Sequence, residues 1–274
     1  MTAADRATAS ERDPEPPAGR PSRLTVVSQQ HTSASAPDSS AEPRDDAVRG
    51  ALLAVCGLCG GAGASTLAYL VALAEARQHS AAVLVADTGG PGGGISCYAG
   101  VQAPRSLVEV ADHVAAGLPV GRLFTATAGL RVLATGPRFA PACAREGIEL
   151  VLAYAREHYA LTVIDCGTLA RQADQLALAS ASHIAWVLPA STSGIRRARP
   201  VLEAINPYLP GRELTVARHD GGKAPLRELK RLAQHRHTPL VLLPSIPDLT
   251  TSNLNRALET AQVPLQAILG ALAR

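Results

Sequence analysis

The sequence reads as a doubly wound α/β domain, a mostly parallel sheet flanked by helices, carried behind a disordered N-terminal tail. Three observations support this. From Arg49 onward, short aliphatic or β-branched runs alternate with helical patterns, as strand–helix–strand units require. Hydrophobic residues make up 47% of the 274 while aromatics make up 3%, so the core must be built from Ala, Val, Leu and Ile. Such side chains suit helices packed closely on a sheet buried on both faces. Residues 1–48, by contrast, are rich in Ser, Ala, Pro, Asp, Glu and Arg, lack aromatics and sustained periodicity, and cannot offset their own ordering entropy.

Within the domain, residues 49–274, strands are expected at Leu52 to Cys56, Ala82 to Asp87, Leu130 to Ala134, Leu161 to Asp165, Ile184 to Leu188, Glu213 to Ala217 and Leu240 to Leu243. Helices are expected at Ser65 to Gln78, Ser106 to Ala116, Glu146 to His158, Gly194 to Ile205, Pro225 to His235 and Asn253 to Ala273. Each strand is short and nearly unbroken in aliphatics, and in such folds ligands sit at the carboxyl ends of the strands.

Composition limits the function classes. The N-terminus has no apolar run that could act as a secretory signal, and no later stretch reaches the ~18 apolar residues of a membrane span, so the cytoplasm is expected. Five cysteines, an odd number, point to reduced thiols rather than a disulfide framework. A net charge of +3 is too small to imply nucleic-acid binding by itself.

The most informative segment follows the first strand. Ala51-Leu-Leu-Ala-Val-Cys56 runs into Gly57-Leu-Cys-Gly-Gly-Ala-Gly-Ala-Ser-Thr66 and then into an apolar helix. Strand, glycine loop and helix form the context a phosphate loop needs. Glycines at 60, 61 and 63 permit positive φ and close approach, so successive amides can point into one concavity at the positive end of the helix. The same glycines could also serve helix packing alone.

Gly60-Gly-Ala-Gly-Ala-Ser-Thr66 resembles the deviant Walker A loop, KGGxGK[ST]T, of the ParA/MinD family, and its form GGxGAST resembles the branch related to the CpaE and TadZ pilus-assembly proteins. Further segments match in order. Val83-Leu-Val-Ala-Asp87 resembles the family's switch strand, and Tyr159-Ala-Leu-Thr-Val-Ile-Asp165 its Walker B strand. The segment from His183 through Arg197 resembles the next strand and the start of its helix, with Ser and Gly as caps. The resemblance spans Ala51 to about Leu249 and implies a SIMIBI-type P-loop fold.

It further implies a nucleotide site at Gly60, Gly61, Ala62, Gly63, Ala64, Ser65 and Thr66, taking ATP or ADP with Mg²⁺ held by Ser65, Asp87 and Asp165. Asp87 could equally be a turn or helix-capping aspartate. The departures matter as much. The two lysines of the family loop correspond to Cys59 and Ala64, the second switch aspartate to Gly89, and the base-contacting asparagine to Ala217. Hydrolysis needs charge neutralisation and a placed water, so a slow or absent ATPase is expected, with weak binding through amides and helix dipole and no ionic group nearby.

The resemblance thus implies a pseudo-ATPase: a dimerising scaffold or localisation factor in pilus or secretion assembly, cell division or partitioning. Two alternatives stay open. One is an active ParA-like ATPase holding DNA nonspecifically through the basic stretch Arg212 to His237, which could instead be an exposed helix with its loops. The other is a nucleotide-free interaction module. Arg196, Arg197 and Arg199 could lean toward phosphates, but read better as a solvated helix face. Cys56 and Cys59 form a C-x-x-C pair with no second pair at zinc spacing, so small packed residues are expected. In the last helix Pro264 is expected to interrupt the pattern; without a lysine-rich face the helix should dock on the domain, leaving membrane contact indirect at most.

Overall fold

A computed structural model describes residues 50–79, 82–88, 94–101, 105, 107–134, 143–205, 209–219, 223, 225–246, 249–250 and 252–273. The expected tail and Gly89 lie outside these residues.

Each aliphatic run forms a strand because its residues are buried on both sides. Along the chain the elements are β1 (Ala51–Gly57), α1 (Ala64–Gln78), β2 (Val83–Asp87), α2 (Gly94–Tyr98), α3 (Leu107–Ala115), β3 (Thr125–Thr127), β4 (Leu130–Leu133) and α4 (Arg145–His158). There follow β5 (Leu161–Asp165), α5 (Gln172–Ser180), β6 (His183–Pro189), α6 (Thr192–Ala204), β7 (Glu213–Arg218), α7 (Leu226–His235), β8 (Leu240–Leu243) and α8 (Leu254–Leu272). The seven expected strands form, with ends shifted by a residue or two. The added β3 is a three-residue strand with no apolar run to announce it. The short helices α2 and α5 likewise lie outside the expected set.

The strands make one eight-stranded sheet in the order β3-β4-β2-β5-β1-β6-β7-β8. All neighbours are parallel except β3 and β4. β2 to β4 lie beyond β5 on one side of β1, while β6 to β8 lie on the other, so the connections after β1 and β5 diverge in opposite directions. A crevice opens at the carboxyl end of strands at such a switch point.

Alternation along the strands divides the core in two. Leu53 and Val55 of β1, Val85 of β2, Val163 of β5 and Val216 of β7 face the layer containing α1 and α8. Leu52, Ala54 and Cys56, with Ile164, Trp186 and Ala217, face the layer containing α3 to α7. In α1, Leu67, Leu70 and Leu73 are fully buried, each contributing about 1.5–3 kcal/mol of apolar transfer.

The last helix corrects one expectation. α8 runs unbroken from Leu254 to Leu272 with Pro264 inside it. Proline removes one donor, but Ala261, Leu265 and Ile268 on either side are buried against the layer of α1, and that packing holds the helical path. Docking on the domain is as expected, and no helix among the described residues is long and apolar enough to cross a membrane.

Candidate functional site

The loop between β1 and α1 is fixed at its β1 end by main-chain bonds. The Gly57 amide donates to Gly167 O at 2.6 Å and Leu58 to Val187 O at 2.8 Å, tying the end of β1 to β5 and β6. Gly61 and Gly63 have φ of 73° and 95°, conformations that favour glycine. Gly63 is the N-cap of α1 and provides no side-chain acceptor, so the first-turn amides are not capped by their own loop. A β-carbon added at Gly60 or Gly61 would meet no atom within 4 Å. In front of the loop lies a cavity of about 350 Å³, lined by residues 59–66 together with Tyr98, Thr168, Arg218, Ile246 and Leu249. The predicted loop residues Gly60 through Thr66 therefore share one concave surface, and it is open.

The two predicted aspartates meet behind the loop. Asp87 and Asp165 are register partners on the adjacent strands β2 and β5, with 1% and 2% of their surface exposed. Both continue the strand alternation toward the α1 layer. Burial raises the Asp165 carboxyl above its usual range, while the Ser65 hydroxyl and the Gly167 amide, the latter at 3.1 Å from Oδ1, donate to it and pull it partly back. A loop hydroxyl bonded to a strand-end carboxylate, with a second carboxylate beside it, suits a magnesium ion that keeps several waters.

A third aspartate, Asp174, was not foreseen. Thr88 Oγ1 donates to Asp174 Oδ1 at 2.8 Å, and the Arg171 amide donates to Asp174 Oδ2 at 3.0 Å. Arg171 Nη1 in turn donates to Thr88 O at 3.1 Å. These bonds latch the end of β2 to the start of α5. Burial raises the Asp174 carboxyl and these donors lower it in part. In sequence, the threonine after Asp87 was the available signal.

Two further cavity residues come from distant segments. Tyr98 OH lies 3.1 Å from Thr66 Oγ1. Arg218, the last residue of β7, reaches across to the loop: a methyl at Gly63 would fall 3.0 Å from its Cδ and 3.7 Å from Nη1. The expectation of no ionic group near the loop is thereby corrected. Arg196, Arg197 and Arg199 are exposed on α6, and none lines this cavity. Arg199 instead borders a separate cleft of about 430 Å³ between α6 and α7, remote from the glycine loop.

The basic stretch from Arg212 to His237 is not one exposed face. Arg227, Lys230 and Arg231 are exposed, but Arg236 is 6% exposed and pairs with Glu213 at 2.8 Å. Cys56 is buried and Cys59 half-buried, both with free thiols. Among the described residues no group of three or more His, Cys, Asp or Glu is clustered to hold a metal.

No family model and no curated protein sequence matches this chain. Solved structures do. A ParA family ATPase from Chlorobium tepidum superposes with a TM-score of 0.62 at 15% identity, over 81% of this chain and 96% of that one. An ATP complex of McdA from Cyanothece gives 0.62 at 17% identity, over 82% and 97%. The septum site-determining protein MinD from Pyrococcus horikoshii, complexed with Mg-ADP, gives 0.57 at 16% identity, over 80% and 94%. At these identities the likeness establishes the fold: this chain has the architecture of the ParA/MinD ATPases.

Proposed function

We propose that this chain is a nucleotide-binding protein of the MinD/ParA/CpaE type with a degenerate phosphate loop. It works as a dimerising scaffold or localisation factor and turns over nucleotide slowly or not at all. The observation that carries the reading is the glycine loop that lines the cavity and whose Ser65 hydroxyl is bonded to Asp165, while positions 59 and 64 hold Cys and Ala. Binding geometry is retained where catalytic charge is not.

Residues 60–66 would hold phosphates through main-chain amides at the positive end of α1. Ser65 and Asp165, with Asp87 alongside, would hold Mg²⁺, which neutralises phosphate charge when bound. Ile246 and Leu249 supply an apolar wall for a base. With alanine at 64 and glycine at 89, no side chain at those positions can stabilise developing phosphoryl charge or place a water. Occupancy, rather than turnover, then sets the state of the protein. Neighbours of the same fold were solved with ATP and with Mg-ADP, which supports a nucleotide as the ligand.

Equilibrium titration with labelled ATP and ADP, with and without Mg²⁺, tests the proposal alongside a phosphate-release assay and light-scattering mass measurement. Micromolar to submillimolar binding, strengthened by Mg²⁺, with release near background and a nucleotide-dependent dimer is expected. Sustained turnover would replace it with an active ATPase, and absence of binding at millimolar nucleotide with an interaction module.

A further inference from the structure

We infer that Arg218 is the phosphate-binding cation of the glycine loop, contributed from the end of β7 in place of a lysine within the loop itself. The inference rests on the nucleotide-site reading above and adds to it the residue that determines ligand charge.

The argument begins with the strand. Leu214 and Val216 face the α1 layer and Ala217 faces the other, so alternation turns Arg218 to the side on which the phosphate loop stands. The main chain at this point is held firmly: Arg218 pairs with Pro189 of β6 and Leu243 of β8, and its carbonyl accepts from the Ala190 amide at 2.7 Å. From that anchor the side chain passes over the end of β6 to Gly63, the residue that opens α1.

Glycine at 63 is what makes the approach possible. A β-carbon there would press on Arg218 Cδ at 3.0 Å, and the φ of 95° already disfavours any other residue. Among the residues lining the cavity, Arg218 is the single charged one. The glycine loop, the N-terminus of α1 and the Arg218 side chain border the same cavity of about 350 Å³. A guanidinium offers five donors in a planar fork that matches phosphate oxygens, and it stays charged at any physiological pH. One positive charge thus stands in for the two lysines of the family loop, and from a different position. The cation enters from the flank of the loop, which suits binding better than the in-line chemistry of phosphoryl transfer.

The test is calorimetric titration of the full chain and of Arg218→Ala and Arg218→Lys with MgATP, MgADP, AMP, MgGTP and inorganic tripolyphosphate, with thermal melts of each variant. Arg218→Ala should weaken MgATP roughly 10- to 100-fold, weaken tripolyphosphate similarly and affect AMP least, with Arg218→Lys recovering part of the loss. ATP and GTP should lose in equal measure, and the melting temperature should move little. Unchanged ATP affinity in Arg218→Ala overturns the inference while leaving the nucleotide site standing. A loss equal for AMP and ATP, or specific to one base, overturns it in favour of base contact. Binding of tripolyphosphate but of no nucleotide would refute the nucleotide reading alone, with the Arg218 dependence still measured on the inorganic anion. Absence of binding by every ligand sinks both.

Discussion

Asp165 shows how a single residue reports on the site. Its carboxyl has a folded-state pKa above the unfolded value because burial outweighs the bonds from Ser65 and Gly167. The folded state therefore binds the proton more tightly, and stability from this group is greatest at low pH and falls as pH rises through the folded value. At neutral pH the charge is a cost that binding would recover. Asp165→Asn should leave the melting temperature at pH 7 unchanged or raised, with the difference from the native chain shrinking toward pH 4, while abolishing any Mg²⁺ enhancement of nucleotide affinity. A marked fall in melting temperature at pH 7 would show that the carboxylate is structural. Gly63→Ala makes the opposite case. It places a side chain at a φ of 95° against Arg218, and a loss of about 1–2 kcal/mol in urea denaturation is expected together with weaker phosphate binding.

Helix α6 shows what local sequence can and cannot specify at the scale of one element. The sequence offered serine and glycine caps for a helix from Gly194; the helix begins two residues earlier, at Thr192, and it is Ser191 Oγ that accepts from the Gly194 amide, at 3.1 Å. Ser191→Ala should cost about 1 kcal/mol. Gly194 reads as another capping residue, yet its role is space: a β-carbon there would lie 2.3 Å from Pro189 O, a backbone atom that cannot rotate away. Gly194→Ala should cost more than the cap does, as measured by chemical denaturation of the two variants side by side. Pro264 in α8 makes the same point in reverse. Its sequence signal is local and negative, and burial of Ala261, Leu265 and Ile268 overrides it. The missed β3 has no signal because its own residues, Thr125, Ala126 and Thr127, have little apolar character and it is held by main-chain pairing with β4.

Across the whole molecule, a buried polar network ties the second core layer together. Glu213 of β7 accepts from Trp186 Nε1 of β6 and from Arg236 Nη2 after α7, each at 2.8 Å, and Arg236 Nη1 donates to Leu202 O and Ile205 O at the end of α6. Burial alone would raise the Glu213 carboxyl, but bonds from Arg236, the Leu209 amide and Trp186 prevail and lower it. A depressed carboxylate adds stability above its unfolded pKa, and that stability is lost as pH falls through the folded value; acid unfolding should therefore be steepened by this group below about pH 4.5. Arg236→Met should cost about 3–5 kcal/mol by leaving a buried charge uncompensated, and adding Glu213→Gln should recover much of it, as a double-mutant thermal series would show. From sequence, Arg236 counted only as part of a basic stretch, since burial of a charge depends on partners far along the chain. The sequence by itself determined the strands and the glycine loop with Cys59 and Ala64 in it, because aliphatic runs, positive-φ glycines and caps act within a few residues. Only the tertiary structure decided that Asp87 and Asp165, grouped beforehand by resemblance alone, are register partners, that Asp174 latches Thr88, and that Arg218 reaches Gly63. Those contacts depend on strand order, and strand order is set by burying both faces of one sheet at once, a condition no local segment contains.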